Sequence, residues 1–335
     1  MKILSVFLWV MLLLLCLACD KYSTIHITGK TMGTTYSITI VDKVNIINDR
    51  LAIKTQIDSL LYIINQRFST YISKSEINIF NAYESKSTFQ ISPDFFEIIE
   101  KSLEVYELSE GSFDITIYPI FDAWGFSLDY NTTMVPDSFI IEKLLKHTGS
   151  DQLVLNKPYL SKNDSLLKID VSGIAKGWGV DKVGELLNSL GLYDYLIEIG
   201  GEMLVVGENK ENKKWEVGIR FPNKTDFNLY SSIFLKNKAI ATSGTYQNYF
   251  TIDSINYSHL INPKTGYPIQ HELISATIIA DDCVTADAIA TAVMVKGFAN
   301  GLNWINSMDN IEGLLIGINK EGDYFHEQSK GFKFN

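Results

Sequence analysis

The order of the apolar periodicities constrains this chain more than any other feature. Residues 48–68 place Leu51, Ile57, Leu60, Leu61 and Ile64 at helical spacing, which predicts one long amphipathic helix. A second helix is predicted over about 93–109, opened by Ser92-Pro93-Asp94, and a short third over about 137–147. Ahead of them, Thr34–Val41 alternates and is rich in β-formers, so it reads as a strand. From residue 152 onward β segments dominate, over 152–156, 166–171, 195–207, 214–220, 229–242, 245–260 and 273–280. Helices interrupt them over about 174–190 and 283–306. This order is mixed and lacks a regular βαβ alternation. It predicts an α+β fold of mainly antiparallel sheets with packed helices.

With 335 residues and 46% hydrophobic content, the chain can bury a large core. No repeat and no Pro/Gly/Ser-rich linker divides residues 32–335, so they read as a single domain or as two intimate lobes. The net charge of −10 argues against nucleic acid as a partner, because phosphate backbones demand basic surface. An anionic ligand would have to be met locally, by backbone amides, a few cations or a metal.

Residues 1–18 read as an export signal. Lys2 gives the positive start, and Val6–Ala18 is an unbroken apolar run, shorter than the roughly 20 residues that span a bilayer. The run ends in Leu15-Cys16-Leu17-Ala18-Cys19, similar to a bacterial lipobox, with Cys16 where a Leu is usual. The expectation is lipidation at Cys19; ordinary signal peptidase cleavage nearby is the alternative. Residues 19–31 would be a tether. Of the 3 cysteines, only Cys283 would then remain a thiol, so no internal disulfide is expected and the core must supply stability.

Several familiar motifs fail. Gly177-Trp178-Gly179 opens like a dinucleotide fingerprint, but Lys182 stands where the third Gly belongs. His271-Glu272 opens like a metalloprotease signature, but Ser275 replaces the second His, and Ser243 lacks the flanking glycines of a nucleophile elbow. With 5 His and one mature Cys, zinc is disfavoured. Carboxylates, hydroxyls and backbone remain, and these are the ligands of Mg²⁺.

Three segments carry chemistry. In Ile169–Asp181 a strand would end at Asp170 and a helix begin near Ser172 as its cap, with Lys176 one turn in. Free amides there, beside Lys176, would suit a phosphate. Gly173, Gly177 and Gly179 each cost a helix about 1 kcal/mol, which close approach of a ligand or a second backbone would justify. A capped helix packed tightly on a sheet explains the pattern equally. In Cys283–Thr291, Asp287 and Thr291 share a helix face with small Ala residues beside them, a pairing suited to Mg²⁺. The plainer reading is a surface-facing Asp above a Thr. In Ser258–Gly266 a strand runs into a turn, and His259 is a candidate for proton transfer because an unperturbed imidazole titrates near working pH. A structural His at a strand end is the alternative.

Taken together and in order, the chain resembles the FAD:protein FMN transferase family (ApbE-type) from about Met32 to Gly297. The markers are Met32–Tyr36; Ser69-Thr70-Tyr71 with Ser75-Glu76-Ile77 and Asn81; Gly111–Asp114 leading to Pro119 and Trp124-Gly125-Phe126; and Asp170–Asp181. Glu198-Ile199-Gly200-Gly201-Glu202, Thr242-Ser243-Gly244, His259–Gly266 and Ala286-Asp287 with Thr291 complete them. The resemblance implies a T-fold-like α+β architecture. It also implies an FAD pocket lined by Met32, Tyr71, Ser112, Phe113, Asp114, Asp170, Lys176 and the backbone near Ile261. Mg²⁺ would be held by Asp287, Thr291 and a main-chain oxygen at about Gly173. Gly173 and Gly179 stand where relatives often carry Ser or Ala.

The implied reaction is attack by a Ser or Thr hydroxyl of a client protein on the FMN-side phosphorus of FAD, with release of AMP. His259 would assist deprotonation of that hydroxyl, and Asp114 or Asp170 would orient it or the ribityl chain. By resemblance, the clients are flavin subunits of Na⁺-pumping NADH:quinone reductase and Rnf-type complexes, or secreted flavin reductases. The chain would act on the periplasmic side of a bacterial membrane, the inner one by preference. Two rivals are an FAD pyrophosphatase, with water as acceptor, and a non-catalytic flavin-binding lipoprotein. A ring at Tyr71 would shield the site from water and favours transfer.

Overall fold

The computed structural model describes residues 22–43, 46–47, 49–127, 134–223 and 228–334. The predicted export signal and the lipidation at Cys19 lie outside them. Among the described residues no helix is long and apolar enough to cross a membrane.

The centre is an eight-stranded sheet in which every neighbouring pair is antiparallel. Its strands in chain order are β1 (Ser23–Thr31), β2 (Thr34–Asp42), β3 (Tyr195–Ile199), β4 (Glu202–Val206), β5 (Lys238–Gly244), β6 (Leu273–Ala280), β7 (Glu312–Ile318) and β8 (Tyr324–Gln328). Spatial order follows chain order. Met32 and Gly33, at φ 49° and 70°, turn β1 into β2. Gly200 and Gly201, at φ 61° and 107°, turn β3 into β4. Both are two-residue hairpins whose left-handed turns match the twist of the strands they join.

The helices that accompany the sheet include α1 (Arg50–Phe68), α2 (Pro93–Leu108), α3 (Ala175–Ser189), α4 (Cys283–Lys296) and α5 (Phe298–Ile305). Alternate strand residues serve opposite faces. Ala239 and Ala241 join the helix-side cores, whereas Ile240 faces a core with Trp215, Val217 and Ile233 of a separate two-stranded ribbon. Both sheet faces are thus covered. α4 is buried on most sides, from Cys283 through Met294, and its alanines let neighbours approach closely.

The α+β class and the predominance of antiparallel pairing agree with the expectation. Several boundaries differ. The supposed tether contains β1, whose Ile25 and Ile27 alternate with polar residues as an edge strand does. Residues 166–171 are not a strand. Predicted strands 195–207, 229–242 and 245–260 each divide at a turn, the last at Asp253-Ser254 with φ 48° and 65°. The helix predicted over 283–306 breaks at Gly297, φ 77°.

Candidate functional site

α3 and α4 meet at Gly177. A Cβ there would collide with the Cys283 carbonyl and come within 2.8 Å of the Asp287 Cβ. Glycine is required because two helix backbones touch. The Gly177 N–H then donates to Asp287 Oδ2 at 2.9 Å. Asp287 is 2% exposed, not the surface-facing carboxylate expected, because α4 is sandwiched between α3 and the sheet.

Lys176 lies beside this contact. Its Nζ is 3.2 Å from Glu202 Oε1 and 3.8 Å from Asp287 Oδ1. Glu202 is 3% exposed, and its Oε2 is buried without a hydrogen-bond partner. Burial alone would lower the Lys176 pKa; Asp287 and Glu202 together hold it above the ordinary lysine value. Burial pushes both carboxyls up, while the ammonium favours their charged forms. One ammonium faces two buried carboxyls, and burial pushes Glu202 to about 8, so its proton is the first that an incoming cation would displace.

One turn further along α4, the Thr291 hydroxyl is 3.3 Å from Ser243 Oγ on β5. Gly173 borders it: a Cβ at Gly173 would lie 3.5 Å from Thr291 Oγ1 and 3.3 Å from the Phe113 ring. The structure therefore brings Gly173, Phe113 and Thr291 together, and Lys176 with Asp287. Met32 reaches the same helix, since a Cβ at Gly179 would meet its Cε at 2.9 Å. Phe113 and Ser112 are buried, and Tyr71 is 56% exposed.

His259 follows a short strand, Ile255–Ser258, and its Nδ1 is 3.1 Å from the Asn248 carbonyl. A carbonyl only accepts, so Nδ1 carries the proton and Nε2 keeps its lone pair. Burial lowers the ring pKa to about 4; the Asn248 carbonyl opposes this and the Lys176 charge adds to it. The ring does not titrate near neutrality, contrary to the expectation from an unperturbed imidazole. Ile261 is buried in an adjacent aromatic cluster with Trp124, whose indole N–H donates to the Gly266 carbonyl at 2.8 Å.

Other expectations change. Ser172 does not cap α3, which begins at Ala175; its N–H instead donates to Asp170 Oδ1 at 2.8 Å. Of the first-turn amides expected to meet a phosphate, the Ala175 N–H is bonded to Val171 O and the Gly177 N–H to Asp287. Asp170 is tied by its own N–H to Ile115 O at 2.7 Å, and burial raises its carboxyl pKa. Asp114 accepts from Thr116 N–H (2.8 Å), Thr116 Oγ1 (2.6 Å) and Ser150 Oγ (2.7 Å), all through Oδ1. Oδ1 of Asp114 thus braces the turn over 114–117. Glu202 and Ser243 received no role from the sequence. The Glu202 signal was present: a two-residue Gly200-Gly201 turn sets Glu202 opposite Ile199 on one face, and Ile199 is core.

A family model described as the ApbE family matches residues 32–315. The chain belongs to the ApbE family. It is 37% identical over 322 residues to the FAD:protein FMN transferase of Vibrio cholerae, covering 96% of each chain. It is 33% identical over 339 residues to that of Haemophilus influenzae, covering 99% of this chain and 97% of the relative. Among solved structures, the flavin transferase ApbE from Vibrio cholerae superimposes with a TM-score of 0.85 at 34% identity, covering 93% of this chain and 98% of that one. The apo form of Pseudomonas stutzeri flavinyl transferase ApbE gives 0.84 at 29% identity, over 92% and 95%. ApbE architecture thus accounts for the antiparallel sheet and both site helices.

Proposed function

We propose that this ApbE chain transfers FMN from FAD to a Ser or Thr hydroxyl of a client protein and releases AMP. The observation that carries the reading is the meeting of Lys176, Asp287, Thr291 and Gly173 where α3 joins α4, in a chain this similar to FAD:protein FMN transferases. FAD would bring an anionic pyrophosphate to a site where two buried carboxyls share a single ammonium. A divalent cation reconciles the two, and the donors suit Mg²⁺: a buried carboxylate, a hydroxyl and main-chain oxygen near Gly173, with no sulfur. Asp287 and Thr291 would hold it. Bound there, Mg²⁺ supplies charge neutralisation at the pyrophosphate.

The chain's own residues do the rest. Lys176 faces the phosphates as a fixed cation. His259, neutral with a free Nε2, accepts the proton of the client hydroxyl as its oxygen bonds to the FMN phosphorus. The phosphorus–oxygen bond to AMP breaks, and AMP departs with the bridging oxygen. The nucleophile belongs to the client, in keeping with a site that lacks an activated Ser or Cys of its own.

Lipidation at Cys19, an exported location and clients of the Na⁺-pumping NADH:quinone reductase or Rnf type are supported by sequence resemblance. Recovery of the unlipidated wild-type chain in the soluble exported fraction would count against the anchor. The rival FAD pyrophosphatase is separated by measuring AMP release with and without a client protein. Transfer predicts release that depends on the client; equal release without one favours hydrolysis.

A further inference from the structure

The residues that would hold Mg²⁺ come from two elements, Gly173 just before α3 and Asp287 and Thr291 on α4. The docking of these helices is therefore the geometry of the site. Asp181, on α3, attaches them at two points. Its Oδ1 accepts the Cys283 N–H at 2.9 Å and its Oδ2 accepts the Val284 N–H at 2.8 Å. Cys283 and Val284 open α4, where N–H groups have no acceptor within their own helix. Asp282, the residue that caps α4, serves Thr285 N–H instead, at 2.8 Å.

The two-point bond fixes rotation as well as distance. Gly177 is one turn before Asp181 on α3, and Asp287 is one turn after Cys283 on α4. The Asp181 clamp and the Gly177–Asp287 bond are thus successive rungs between the same helices. Burial pushes the Asp181 carboxyl up to about 7; the two N–H donors resist the rise, and Asp282 and Glu185 add to it. A carboxylate facing a helix N-terminus also gains from the helix dipole, so its charge is stabilised where it is desolvated.

We infer that Asp181 is a positioning residue for the cation site, holding α4 in the register on α3 that sets Asp287 and Thr291 against Gly173. The inference rests on the Mg²⁺ reading of those residues. Asp181 touches neither the cation nor FAD; it acts through the helix start it clamps. Loss of a partner bonded directly to a ligand weakens metal binding by about 10- to 100-fold in known sites, and a clamp one turn away belongs at the low end of that range.

The test is isothermal titration of the full chain with Mg²⁺ alone, and separately with FAD without Mg²⁺, for wild type, Asp181→Asn and Cys283→Pro. The Asn variant is isosteric but offers an N–H₂ where one N–H must be accepted. The Pro variant deletes one donor from the opposite side. Asp282 already has the extended geometry, φ −128° and ψ 156°, that a residue before proline prefers. Expected is a Mg²⁺ affinity lower by on the order of 10-fold in both variants, with cation-free FAD affinity near wild type. Wild-type Mg²⁺ affinity in the Asn variant would overturn the inference. So would parallel loss of both affinities with a collapsed melting temperature in both variants, which marks a cap needed only for folding. Failure of wild type itself to bind Mg²⁺ would remove the cation reading on which the inference stands.

Discussion

Glu202 gives one carboxylate oxygen to Lys176, with Nζ 3.2 Å from Oε1, and leaves the other buried without a partner. Burial pushes the Glu202 carboxyl up to about 8, so a cation entering beside it would displace its proton and gain a second carboxylate. Glu202→Gln keeps the shape and removes that second carboxylate. It should raise the Mg²⁺ concentration needed for half-maximal transfer by roughly 10-fold, about 1.4 kcal/mol of electrostatic attraction. An unchanged Mg²⁺ dependence would show that Glu202 only seats the lysine.

Asp287 carries two duties that different substitutions separate. Asp287→Asn can still accept the Gly177 N–H and should lose Mg²⁺-dependent turnover while melting near wild type. Asp287→Ala also strands that buried N–H and should cost about 1–3 kcal/mol more, read by thermal unfolding. Thr291→Val should be milder for turnover, because a neutral hydroxyl binds Mg²⁺ less strongly than a carboxylate. Normal activity of the Asn variant at limiting Mg²⁺ would exclude the ligand assignment.

His259 should act as a base without titrating near neutrality. His259→Asn should lower kcat by about 10²- to 10⁴-fold with FAD affinity little changed. In the free protein the ring should titrate near 4, so no acid limb of kcat/KM near 6.5 should belong to it. Between about 4 and 6.5 the folded ring binds fewer protons than the unfolded one, so stability falls as pH drops through that window. NMR titration of the ring decides: a midpoint near 6.5 would contradict the desolvation of the ring.

Gly177→Ala tests the helix contact. A methyl group directed at the Cys283 carbonyl must push α3 and α4 apart, and backbone yields less readily than a flexible side chain. Destabilisation of about 1–3 kcal/mol is expected, as for other overpacked sites. A melting temperature equal to wild type would mean that the helices are not in backbone contact.

The sequence disclosed what depends on local periodicity and hid what depends on partners. Helix α1 was legible because Ile57, Leu61 and Ile64 all enter the core at helical spacing. β1 was missed because an edge strand bears few apolar residues, and its pairing with β2 is a property of the hairpin at Met32-Gly33. The glycines of 173–179 announced a close approach, yet could not say that the visitor at Gly177 is another helix. Asp287 and Thr291 were legible as a face, whereas the burial of Asp287 required α3. The bracing of the 114–117 turn by Asp114, through Thr116 and Ser150, likewise depends on partners that only the fold brings together.

The central claim is that the flavin leaves this site attached to another protein. The most direct measurement is the intact mass of a candidate client after incubation with the chain, FAD and Mg²⁺, alongside the AMP produced. The account predicts a client heavier by one FMN less one water, with one AMP released per modified client, and neither product when Mg²⁺ is chelated. AMP and free FMN accumulating while the client keeps its original mass would contradict it.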